Sequence, residues 1–213
     1  MVKTIWRAVV VASLACAGAN ARAENPFFAM DTGLRDDPAR TPAQQARLLK
    51  ELGYAGVGWS PGRIPEMLAA CDAEGLKLFN VYLGVEAGPT NRVAPAHVRQ
   101  VIEQLRGREA ALWLTVQTKA YKPSDPAGDA DAVPLLRDIA DRAQAAGLTV
   151  SLYPHTFFWL ERVQDAVRLA EKVERANLGV TFNLCHCLRV GDEARIGELL
   201  EQVRARRPMV HNI

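Results

Sequence analysis

The chain lacks an apolar run long enough to cross a bilayer, which takes roughly 18 to 20 residues; its most apolar stretch, Val9 to Ala17, is shorter. It lacks a linker, a low-complexity tract or a charge block, so nothing divides the body of the chain into two domains. It lacks the basic stripe by which nucleic-acid binders are recognised. The one short cluster, Arg204-Ala205-Arg206-Arg207, falls at an expected helix end, where cations favour the dipole. It also lacks a Gly-rich phosphate turn after the first strand, where Asp31-Thr32-Gly33-Leu34-Arg35-Asp36 stands without G-x-G-x-x-G.

What is present begins with a targeting signal. Lys3 and Arg7 precede the apolar run, and Ala21-Arg22-Ala23 supplies a small-x-small cleavage pattern, which together describe a secretory signal peptide over residues 1–23. Cleavage after Ala23, export to the periplasm or the medium, and no stable membrane insertion are the expectations. The formal charge of the whole chain is +2. Losing Lys3, Arg7 and Arg22 leaves 23 Lys+Arg against 24 Asp+Glu, a net charge of −1 for residues 24–213. Cys71, Cys185 and Cys187 also remain, an odd number in a compartment that permits disulfides. Cys71 shares the apolar face of an expected helix with Met67 and Leu68 and reads as a small buried hydrophobe. Cys185 and Cys187 point to opposite faces if they continue a strand, so packing is the role expected of both.

Residues 24–213 repeat one pattern: a short apolar run, a polar turn, an amphipathic helix, a glycine and the next apolar run. Strands alternating with helices in this way imply parallel strands joined by crossovers. Seven strands are expected, at Phe27 to Asp31, Gly56 to Trp59, Lys77 to Leu83, Ala111 to Thr115, Thr149 to Tyr153, Leu178 to Asn183 and Met209 to Asn212, with six helices between them. Thr41-Pro42 is an N-cap followed by proline at the first helical position. Gly53, Gly75 and Gly147 mark helix stops. Val163, Ala166, Val167, Leu169, Ala170 and Val173 form one continuous helical face. Runs such as LTVSLY and LGVTFNL are apolar with little alternation, as parallel strands covered on both sides require. The pattern is α/β and points to a (β/α)8 barrel with its last βα unit missing, since such barrels usually need about 250 residues. The alternative, an open doubly wound sheet, fits the length but not the missing phosphate turn.

In a parallel barrel, function collects at the C-terminal ends of the strands. In order these ends carry Asp31; Trp59 and Ser60; Tyr82 with Glu86 beyond it; Gln117 and Lys119; Tyr153-Pro154-His155; Asn183 with His186; and His211-Asn212. Three of the four histidines thus fall at strands five, six and seven, whereas His97 begins a helix and reads as surface. Imidazoles on adjacent strands can converge on a divalent cation and leave a coordination position for substrate oxygens.

From NPFFAMDTGLRD through TPAQQARLLKELGYAGVGWS, VSLYPHTFFW and GVTFNLCHCL, residues 25 to 213 resemble the sugar phosphate isomerase/epimerase group of xylose-isomerase-like TIM barrels, relatives of the metal-dependent apurinic endonucleases. The typical strand-six motif of that superfamily, Asp-x-x-His or Asp-x-Cys-His, matches Asn183-Leu184-Cys185-His186 except at its first residue. The resemblance implies a divalent metal (Mn, Mg, Co or Zn), with His155, Asn183 and His211 at ligand positions. With the usual carboxylates absent, strand-end placement and side-chain chemistry make His155, His186 and Glu86 the candidates for proton transfer and substrate contact, with Asp31, Trp59, Gln117 and Lys119 as substrate-binding residues. The departures are that Tyr153-Pro154-His155 stands where a strand-five glutamate is usual, that the strand-six acid is Asn183, and that the strand-eight glutamate has no counterpart.

The function this implies is isomerisation or epimerisation of a sugar or sugar phosphate through an enediolate, which needs a base for the α-proton and stabilisation of the developing charge. Alternatives are an exported lyase or hydrolase acting on keto-sugars and a carbohydrate-binding protein without activity. The expected partner is a small carbohydrate, not nucleic acid, and a homo-oligomeric state is left open.

Overall fold

The computed structural model describes residues 26–206 and the backbone of 210–212. The signal-peptide expectation for residues 1–23 therefore lies outside the described residues. β1 (Phe28–Met30) leads to α1 (Pro42–Glu51), β2 (Gly56–Trp59), α2 (Ile64–Glu74), β3 (Lys77–Glu86), α3 (Ala96–Gln104) and β4 (Ala111–Gln117). There follow α4 (Asp129–Ala145), β5 (Thr149–Leu152), α5 (Val163–Val173), β6 (Leu178–Asn183), α6 (Leu184–Arg189), α7 (Ile196–Arg204) and β7 (Val210–Asn212). The strands form one seven-stranded sheet in sequence order, each parallel to the next. A doubly wound sheet reverses its strand order; this one does not, and the chain is an incomplete barrel.

Local chemistry sets the boundaries. Thr41 caps α1 reciprocally: its hydroxyl accepts from the Gln44 amide at 3.3 Å, and its own amide donates to Gln44 Oε1 at 2.8 Å, with Pro42 in the first turn. α2 stops at Gly75, whose φ of 66° lies in the left-handed region that glycine enters without steric cost. α5 buries Val163, Ala166, Leu169, Ala170 and Val173, the face read from its period.

Alternation along each strand splits the interior into two layers. Outside the sheet, Val57, Leu78, Leu112, Leu114, Val150, Leu152, Val180 and Phe182 pack with helix residues such as Leu49, Met67, Leu136 and Leu169; each such side chain contributes about 1.5–3 kcal/mol when fully buried. Inside, Ala111, Trp113 and Tyr153 form a smaller cluster with Phe28, Met30 and Tyr82 against it. Gly58 belongs to that crowded inner layer: a Cβ there would stand 2.5 Å from Met30 Sδ and 2.8 Å from Asn80 Oδ1.

Three expectations need correction. β3 and β4 run past Leu83 and Thr115 to Glu86 and Gln117, because their ladder continues through Glu86↔Gln117. There are seven α-helices among the described residues, α6 being the additional one. It begins directly after β6, so Cys185 and Cys187 lie on a helix and not on a strand. Cys187 is buried as expected, but Cys185 is exposed, and both are free thiols. Cys71 is buried as read, and burial pushes its thiol up to about 11.

Candidate active site

β5 ends at Leu152 and the chain crosses the rim of the sheet. Tyr153 donates its amide to the Leu114 carbonyl at 2.8 Å, and Leu160 donates to Val116 at 3.1 Å, so both ends of the 153–160 loop are laced onto β4. Within the loop, His155 Nδ1 lies 2.8 Å from the Thr156 carbonyl oxygen. A carbonyl can only accept, so Nδ1 carries the proton and the lone pair of the neutral ring is on Nε2. The ring stacks on Phe158 with centroids 4.2 Å apart.

β6 delivers the second half. Asn183, buried at 6 % exposure, accepts the His186 amide on Oδ1 at 2.9 Å and so caps α6. Its Nδ2 donates to the Tyr153 hydroxyl. The cap turns His186 back over the sheet rim, where its ring centroid lies 4.0 Å from that of His155 and 5.8 Å from that of Tyr153. His186 Nδ1 and the Thr156 hydroxyl are 2.7 Å apart. Burial, then the His155 and Arg189 charges, pull the His186 imidazole down to about 4, so it is neutral at physiological pH. Thr156, 5 % exposed, thus touches both rings, one through its carbonyl and one through its hydroxyl.

Beside the pair stands Phe157, 75 % exposed with φ of 72°, a left-handed conformation that is an outlier for a bulky residue. The Arg189 guanidinium lies 5.6 Å from its ring centroid.

The other candidates fall elsewhere on the rim. Glu86 and Lys119, both well exposed, pair at 3.7 Å and share a cleft of about 310 Å³ with Gln117 and His97. His97 is exposed as read, and its Nε2 lies 3.0 Å from the Gly84 carbonyl. Glu86 therefore lines a different cleft from the histidine pair. Asp31 and Trp59 border a third cleft of about 420 Å³ between the β1–α1 and β2–α2 loops. Trp59 packs in the core outside the sheet and donates its indole N–H to the Gly62 carbonyl at 2.8 Å. His211 stands in register with Phe182, and Asn212 with Asn183; the side chain of His211 lies outside the described residues.

The described donors alone do not make a site for a divalent cation. Among the described residues no three of His, Cys, Asp and Glu come together as a metal site. Asn183, the expected ligand, has its oxygen committed to the α6 cap and its nitrogen to Tyr153. The pair at the ends of β5 and β6 supplies imidazole nitrogens and no carboxylate.

Sequence reasoning named His155, His186 and Asn183 but not Thr156, Phe157 or Phe158. Their adjacency to His155 in HTFF was the available signal, and it does not say which of them turns inward.

A comparison with curated proteins gives no match. Solved structures do match at low identity. The probable 3-DHS dehydratase AsbF of Bacillus anthracis superposes with a TM-score of 0.70 at 12 % identity, over 85 % of this chain and 70 % of its own. D-allulose 3-epimerase from Methylomonas sp., solved with D-allulose, gives 0.66 at 12 % over 88 % and 71 %. A xylose isomerase-like TIM barrel protein of Mycobacterium smegmatis, solved with magnesium, gives 0.59 at 19 % over 85 % and 72 %. At such identities the likeness establishes the fold. The family model for the xylose isomerase-like TIM barrel matches residues 46–212, most of the chain, and the chain belongs to that family.

Proposed function

We propose that the protein is an exported enzyme that isomerises or epimerises a small carbohydrate by moving a proton next to its carbonyl. The observation that carries this is Thr156 between the two imidazoles. Its carbonyl holds the proton of His155 on Nδ1 and leaves Nε2 basic. Its hydroxyl can donate to or accept from Nδ1 of His186; the reading takes it as the donor, which puts that ring's proton on Nε2. In this reading His155 removes the α-proton, and neutral His186 donates a hydrogen bond to the oxygen on which charge develops. Exposed Phe157 offers a ring face for the apolar side of a sugar. Its likeness in fold to a protein named as a D-allulose 3-epimerase supports the carbohydrate class.

The test is solvent exchange. The chain 24–213 is incubated with ketoses in D2O and the sugars are examined by mass spectrometry for deuterium at carbon next to the carbonyl. Exchange by wild type that disappears in His155→Gln supports the reading. A folded wild type that incorporates no deuterium into any neutral or acidic ketose rejects it.

A further inference from the structure

Met30, Gly58 and Asn80 stand in one row across β1, β2 and β3, Met30 in register with Gly58 and Gly58 with Asn80. A Cβ on Gly58 would lie 2.5 Å from Met30 Sδ, 2.8 Å from Asn80 Oδ1 and 3.2 Å from Asn80 Nδ2. The side chain that Gly58 lacks therefore leaves the space in which the thioether and the amide face one another. Asn80 is 0 % exposed, yet neither its Oδ1 nor its Nδ2 has a hydrogen-bond partner. Whichever way the amide is turned, a buried N–H is left with nothing to donate to. Met30 packs against the cluster of Ala111, Trp113 and Tyr153 and is partly exposed, so a small oxidant can reach its sulfur. Met67, by contrast, is 0 % exposed.

An unpaired buried donor is costly, and a thioether sulfur is only a weak acceptor. Oxidation changes the acceptor, because a sulfoxide is polar where the thioether was apolar. In most cores that added oxygen disrupts the packing. Beside Gly58 it has both a gap to enter and an amide without a partner.

We infer that Met30 is a site of oxidation by hydroperoxides, with the sulfoxide oxygen accepting a hydrogen bond from Asn80 Nδ2 across the bare face of Gly58. In the step, a sulfur lone pair attacks one peroxide oxygen and the O–O bond breaks as the S–O bond forms. Sulfur loses two electrons, and the other oxygen of hydrogen peroxide takes the transferred proton and leaves as water. The row uses neither histidine and does not depend on the carbohydrate reading.

The test is treatment of the chain 24–213 with hydrogen peroxide. Met209→Leu and Cys185→Ser are built in, to remove a methionine whose side chain lies outside the described residues and an exposed thiol. Peptide mass spectrometry should show Met30 gaining one oxygen roughly ten-fold or more faster than Met67, as exposure dictates. In amide NMR spectra the Asn80 side-chain N–H resonances should move downfield as the sulfoxide forms. The melting temperature should hold or rise on oxidation, whereas in Asn80→Leu, which has no donor, the same oxidation should lower it by about 2–4 °C. The NMR readout decides even where that variant fails to fold. Equal oxidation of Met67, an unmoved Asn80 amide, or an equal fall in melting temperature with and without Asn80 overturns the inference. A shift confined to the indole N–H of Trp113, also buried without a partner, overturns Asn80 as the donor.

Discussion

The two sides of the barrel rim are built from opposite materials. At β5 and β6 the groups that face one another are rings, half-buried His155, His186 and Phe158 with buried Tyr153, with ring centroids 4.0 to 6.4 Å apart. Both imidazoles make short hydrogen bonds to Thr156. At β1 and β2 the groups are ions: Arg35 on Asp31 at 2.9 Å, and Arg40 on Asp36 at 2.7 Å. Burial disfavours the charged form of the His186 imidazole and keeps it neutral at physiological pH. Guanidiniums stay charged throughout the physiological range.

The largest effect that sharpens it is at His155. His155→Gln should slow deuterium exchange by about 10²–10⁴-fold, the usual contribution of a general base. An undiminished rate in His155→Gln would show that this imidazole is not the base.

Next is Asn183. Asn183→Ala removes the α6 cap and the donor to Tyr153 and should cost about 1–2 kcal/mol in denaturant unfolding. Asn183→Asp keeps an oxygen for the cap and adds the carboxylate that the described residues lack beside the histidines. Its affinity for Mn²⁺ or Zn²⁺ by calorimetry should rise roughly ten-fold or more over wild type. No gain would mean that geometry, not the missing acid, keeps the cation out.

A smaller effect follows from His186, whose imidazole falls from 6.5 unfolded to about 4 in the fold. Between those values the unfolded chain binds more proton than the folded one, so stability rises with pH across that window. The His186 contribution is complete above pH 6.5 and fades as pH drops toward 4. His186→Gln should flatten that slope in urea unfolding, and an unchanged slope would place the sensitivity elsewhere. The smallest effect is expected at Arg40→Gln. It removes an ion pair to an exposed acid, and such pairs contribute little, so no resolved shift in melting temperature is expected.

Legibility differed between elements. β2 and β6 were readable to the residue, since apolar runs bounded by turns have few alternatives. β3 and β4 were read too short, because Glu86 and Gln117 are polar. They remain in the ladder through backbone pairing, to which side-chain polarity is irrelevant. The fate of Cys185 was misread because the apolar run LGVTFNL was followed past Asn183, although Asn is a preferred N-cap and its Oδ1 accepts the His186 amide three residues on.

By itself the sequence determined the alternation of strands and helices, the parallel barrel and the presence of histidines at successive strand ends. Period and turn chemistry are local, and a parallel sheet places every strand's end on one rim. Only the tertiary structure decided which of those residues meet. Thr156 joins His155 to His186 across 30 residues of sequence, Glu86 goes to a cleft with Lys119, and Arg35 links Asp31 to Ser60. Such pairings depend on side-chain direction and loop path over distances that no local pattern encodes.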